Sequence, residues 1–208
     1  MTYLELKTGL KDFLVFTIND IRKLDPGFDR RRFSEWQKKE YIIKLRRGYY
    51  IFSDAQPNQE EELFAIASKL YGPSYVSLEM AFRYYNIIPE GVYSITSVAT
   101  RKTAEFKTPV GNFTYHLIKP SLFFGYSLKS ELGTTFKIAE LEKAFLDYLY
   151  LKPHISKRED FEEMRFDPEM IARNFNFETF TKYVALFRNG SVKRRAETLA
   201  TFLRHAQT

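Results

Sequence analysis

Between Arg22 and Arg47 the chain carries ten basic side chains (Arg22, Lys23, Arg30, Arg31, Arg32, Lys38, Lys39, Lys44, Arg46, Arg47) against four acidic ones (Asp25, Asp29, Glu35, Glu40). Cations in that density suit phosphate. Each can neutralise one charge of a nucleic-acid backbone, and an arginine fork can also hydrogen-bond a base edge. Spacing sorts them further. At a helical period Arg31, Ser34, Glu35 and Lys38 share an outer face, while Phe33 and Trp36 share an inner one with Gln37 and Glu40 beside it. After Glu40 the period falls to two: Tyr41, Ile43 and Leu45 alternate with Ile42, Lys44 and Arg46. A turn at Arg47-Gly48 leads into the second β-rich run, Tyr49–Phe52. Helix, tight junction and basic-tipped ribbon follow one another in the order of a winged helix-turn-helix, whose helix enters the major groove while its ribbon lies along phosphates. On that reading Arg31, Ser34 and Lys38 face base edges, and Arg30, Arg32, Lys39, Lys44, Arg46 and Arg47 hold phosphates. Any one cluster alone would pass for a solvated helix face or hairpin turn. Their fall on the two presented elements favours nucleic acid.

Other chemistry has thinner support. His116, His154 and His205 share no metal-ligand spacing, and the chain has no phosphate-binding glycine loop and no nucleophile elbow. Glu105-Phe106-Lys107 has the Glu-x-Lys spacing of metal-dependent nucleases, but no Asp occurs between Asp54 and Asp147 to supply a second metal-binding acid. Glu140, Glu142 and Asp147 share a helix on which 140 and 142 point apart, with Lys143 available for local ion pairing. No catalysis, cofactor or metal is expected.

The elements that must position the basic face come from the first fifty residues. Residues 3–16 read as a helix, with Leu6, Leu10 and Phe16 among its apolar positions. Thr17 caps a second helix, with Asp20 in the capping-box position, and Asp25-Pro26-Gly27 stops it. Asp29 is the expected N-cap of the third helix, 28–41, with Phe28 as its staple residue. The polar stretch 54–58 is the expected boundary between a domain of residues 1–54 and one of 58–208. In the second, Asn58 with Glu61 should cap a helix from 59 to 71, and Ser77 one from 78 to 85. From Val92 four or five alternating runs suggest a small antiparallel meander with one wet face. A helix over 139–151 and a helical C-terminus follow. The fold expected is α+β.

With 208 residues, 44% hydrophobic and 17% aromatic, the chain can bury a substantial core and is not of disordered composition. The net charge of +6 is uneven: +4 over residues 1–54, −1 over 55–150 and +3 over 151–208. The absence of cysteine removes thiolate and disulfide chemistry. With neither a signal-like start nor an apolar run of spanning length, a cytoplasmic protein is expected.

Three blocks carry a family resemblance. They are Ile43-Lys44-Leu45-Arg46-Arg47-Gly48-Tyr49-Tyr50; Tyr75-Val76-Ser77-Leu78-Glu79-Met80-Ala81 with Tyr84-Tyr85-Asn86-Ile87-Ile88-Pro89; and Ile138-Ala139-Glu140-Leu141-Glu142-Lys143-Ala144-Phe145-Leu146-Asp147. In order and spacing they resemble the antitoxin and transcriptional-regulator component of AbiE-type abortive-infection systems, the type IV toxin–antitoxin modules, although the family usually has a small residue where Asn86 stands. The resemblance spans most of residues 10–150. It implies an autorepressor that binds inverted repeats in double-stranded DNA upstream of its own operon. Its functional partner would be a nucleotidyltransferase-type toxin, and Glu142, Lys143 and Asp147 would belong to an antitoxin surface. A module that binds an acidic protein instead of DNA, and a nuclease using Glu105 and Lys107, are the rival readings.

Overall fold

The computed structural model describes residues 1–131 and 134–206. Residues 1–52 form helices α1 (Tyr3–Gly9), α2 (Ile18–Leu24) and α3 (Arg31–Lys38) with strands β1 (Phe16–Thr17), β2 (Ile42–Arg46) and β3 (Tyr49–Phe52). The strands make an antiparallel sheet in the order β1-β3-β2. Thr2 with Glu5 and Thr17 with Asp20 close capping boxes, each side chain satisfying a backbone donor that the helix leaves free. The first helix is shorter than its apolar spacing suggests, because Phe16 and Thr17 are drawn into β1, opposite Tyr50 and Tyr49. Leu6, Leu10, Phe16, Ile21, Phe28, Phe33, Trp36, Ile42, Tyr50 and Phe52 form one buried cluster.

The larger part is α+β as expected, but its sheet is not a small antiparallel meander. Strands β4 (Ser74–Val76), β5 (Ser94–Ala99), β6 (Ala104–Thr108), β7 (Gly111–Leu117), β8 (Tyr126–Glu131) and β9 (Thr134–Ala139) make one mixed sheet in the order β6-β7-β5-β4-β9-β8. Two pairings are parallel, β5 with β7 and β4 with β9. The difference has one main source. Ser74-Tyr75-Val76 is buried throughout, so it carries no alternation to mark it as a strand, yet it fills the middle of the sheet.

Helices α4 (Glu60–Leu70), α5 (Glu79–Tyr84), α6 (Leu141–Leu151), α7 (Arg158–Glu162), α8 (Pro168–Asn174), α9 (Phe177–Leu186) and α10 (Gly190–Ala206) complete the chain. The expected Asn58–Glu61 cap shifts by one residue: Glu62 accepts from the N–H groups of Asn58 and Gln59 at 2.9 and 3.2 Å. Ser77 does not cap α5. Its hydroxyl turns inward to Asp147, and Leu78 takes the cap position before the helix at φ +62°, a strained conformation for a branched side chain, with no side-chain cap bond. No helix among the described residues is long and apolar enough to cross a membrane.

A candidate nucleic-acid interface on the third helix and the hairpin

Two rings decide which way α3 faces. Phe33 and Trp36 are 6% and 4% exposed, and Phe33 stacks on Tyr50 with centroids 4.3 Å apart. The opposite side of the helix therefore lies in solvent, with Arg31, Ser34 and Lys38 all exposed. Asp29 is not the N-cap: the helix runs only from Arg31 to Lys38, and Arg30 holds the cap position without a side-chain hydrogen bond. The Asp29 carboxylate accepts from the Arg31 N–H at 2.9 Å one residue earlier, in the turn that precedes the helix. At the other end Glu40 adopts φ +55° and turns the chain into β2.

The cations differ in how free they are. Among the described residues Arg30, Lys38, Lys44 and Arg47 are exposed and make no ion pair. Arg31 lies 3.7 Å from Asp29 and keeps 94% of its side-chain surface. Lys39 pairs with Glu35 at 2.7 Å, and Arg32 donates to the Met1 carbonyl at 2.6 Å. Those two are partly engaged within the chain.

Arg46 departs from its expected place among the phosphate-facing residues. Pairing runs Ile42 with Phe52, Ile43 with Ile51 and Lys44 with Tyr50, then skips Leu45 to join Arg46 with Tyr49. The skipped residue is a β-bulge, and the extra residue carries Arg46 to the other side of the ribbon. Its guanidinium lies 4.6 Å from the ring centres of both Tyr49 and Phe106, the latter on edge strand β6. Up to the bulge, ordinary alternation splits the apolar residues between the two faces of the ribbon. Ile42, Tyr50 and Phe52 enter the small core, while Leu45 and Ile51 enter the large one. The alternation read from the sequence holds through Leu45 and fails at Arg46, which the bulge carries to the side of Ile43 and Leu45.

Glu142, Lys143 and Asp147 do not form a surface. They are 5%, 0% and 0% exposed, on a helix whose residues from Leu141 to Leu149 are all buried. Lys143 donates to one Asp147 oxygen, and the other accepts from Tyr75 at 3.0 Å and Ser77 at 2.9 Å. The rings of Tyr75, Phe124 and Phe187 surround the ammonium at 5.2 to 5.5 Å. Burial pushes the Asp147 carboxyl up and the Lys143 ammonium down, each opposed by the charge of the other. Glu142 accepts from the Asn176 N–H at the head of α9. The local ion-pair reading describes Lys143 and Asp147 but not Glu142, which is held by a backbone N–H instead; sequence reasoning missed their depth because charges are rarely interior.

Glu105 and Lys107 are exposed on β6, 3.7 Å apart. Among the described residues no group of three or more His, Asp or Glu could hold a metal ion. His116 is half-buried, and burial lowers its pKa; His154 and His205 are exposed. No family model matches the chain, and no curated protein matches it.

Proposed function

We propose that the chain is a sequence-specific double-stranded DNA-binding protein that represses its own operon, and that residues 1–54 act as a winged helix-turn-helix. The observation that carries the proposal is the order α1-β1-α2-α3-β2-β3 with its three-stranded sheet, which turns an aromatic-anchored α3 outward with Arg31, Ser34 and Lys38 exposed. In this reading those three residues meet base edges. Arg30, Lys44 and Arg47 hold phosphates, supplemented by Arg32 and Lys39 once they exchange their internal partners. The resemblance to AbiE-type regulators extends the proposal to an antitoxin that counters a nucleotidyltransferase-type toxin through the larger domain.

The test is a mobility shift on the DNA directly upstream of the gene against random DNA of equal length, across ~50 to 200 mM salt, where phosphate contacts alone lose affinity steeply. A preferred upstream site that survives at the upper end supports the proposal. Equal loss on both DNAs overturns it in favour of a basic surface that binds an acidic protein.

A further inference from the structure

The geometry points to a small-molecule anion site on the larger domain, separate from the basic face of α3. A cavity of about 590 Å³ opens between Lys119–Leu122, the Tyr150 end of α6 and the end of α9 through Asn189. Its volume falls within the range of ligand pockets. Leu122 and Phe187, both buried, supply apolar wall, and Leu186 stands beside them with 53% of its surface open. The cations at its rim, Lys119 and Arg188, are exposed and make no ion pair among the described residues. No carboxylate lines it. The hydroxyls of Ser121 and Tyr150 add neutral donors. Asn189 Oδ1 is occupied by the N–H groups of Ser191 and Val192, at 3.0 and 3.2 Å, which leaves its amide N–H groups for a ligand.

Other recesses differ. One opening beside Arg165 already holds its counter-ion, Glu90, and one beside Lys129 is lined by Glu60, Glu61 and Glu131. A third, beside Arg194 and Phe202, is lined by Glu197. The Lys119–Arg188 cavity differs from these three in joining unpaired cations to apolar side chains without an acid. A ligand that satisfies both parts carries a phosphate-like anion on a flat apolar body, with the chemistry and size of a nucleoside monophosphate. The guanidinium and ammonium would hold the anion, and the exposed Leu186 and Ala185 would cover the body above a floor closed by Leu122 and Phe187.

The experiment is a calorimetric titration of the full chain with adenosine 5′-monophosphate at low salt, beside adenosine and inorganic phosphate. Saturable binding of the monophosphate is expected, about tenfold or more tighter than either half alone. Joint Lys119→Ala and Arg188→Ala should weaken it by a similar factor. Ala185→Trp, an exposed change that fills the cavity without altering charge, should abolish it. Joint Arg31→Ala and Lys38→Ala should leave it unchanged, so the outcome is independent of DNA binding. Absence of saturable binding, or binding that survives the cavity variants and falls with the α3 variants, would overturn the site. Circular dichroism confirms that each variant is folded.

Discussion

The chain carries two concentrations of charge on helices, and the helices treat them in opposite ways. On α3 the charges stand in water and two rings anchor the back. On α6 nine consecutive residues are buried, Lys143 and Asp147 among them. Removing a charge from an exposed face costs folding little, because water and salt already screen it. Removing one from a sealed pair strands its partner in a low-dielectric interior. The first region can therefore spend its charges on a partner, and the second can use them only to hold the fold.

The largest test of that contrast is Asp147→Ala. It leaves Lys143 without a counter-ion and the Tyr75 and Ser77 hydroxyls without an acceptor, so a loss of about 3–5 kcal/mol is expected in urea unfolding. Lys143→Met together with Asp147→Leu should recover much of the loss, though not all, because both hydroxyls remain unpaired. A single variant within about 0.5 kcal/mol of the parent would show that the pair is not sealed.

On the exposed side the same removal should move binding instead. Arg31→Ala is expected to cost about 1–3 kcal/mol on the preferred DNA site while leaving stability within about 0.5 kcal/mol. Loss of affinity equal on specific and random DNA would deny Arg31 a reading role and leave it a phosphate contact.

These outcomes depend on features that were unevenly legible in the sequence. The α3 face could be read because Phe33 and Trp36 mark an inner side and the polar residues then have one place to go. The Thr17–Asp20 cap was legible because it is local. Three features were not. The bulge at Leu45 depends on where β3 lies, β4 depends on two strands distant in sequence, and the interior position of Lys143 depends on three rings from α9 and the sheet side. Each is decided by contacts that no local period records.

A titration separates α6 in sign from α2, the helix that precedes the basic face. Asp20 is subject to burial, which raises its pKa, but hydrogen bonds from the Thr17 hydroxyl and N–H and the charge of Lys23 leave it lowered overall. At Asp147 burial prevails over Lys143 and the hydroxyl donors, and the pKa is raised. Asp20 therefore contributes stability that is present above its unfolded pKa and lost as pH falls through its lower folded value. The Asp147 contribution runs the other way: it is fully present below the unfolded pKa and lost as pH rises through the folded one. Carboxyl NMR should find Asp20 titrating below, and Asp147 above, the ordinary aspartate range. The reverse order would mean that solvent reaches α6.

The smallest expected effect sharpens the comparison within a single turn of the hairpin. Arg46 and Arg47 are neighbours of one type, and the bulge separates their roles: Arg46 rests between Tyr49 and Phe106, while Arg47 is exposed at the tip. Arg47→Ala should reduce the slope of log affinity against log salt by about 1 and leave unfolding unchanged. Arg46→Ala should leave the slope alone and lower stability by about 0.5–2 kcal/mol, the range of a guanidinium held over rings. Phe106→Leu then distinguishes two origins for any result that departs from this. If Arg46→Ala also flattens the slope, and Phe106→Leu steepens it, the guanidinium leaves its ring for phosphate when DNA binds. The hairpin would then be released from β6 by the same contact that engages it.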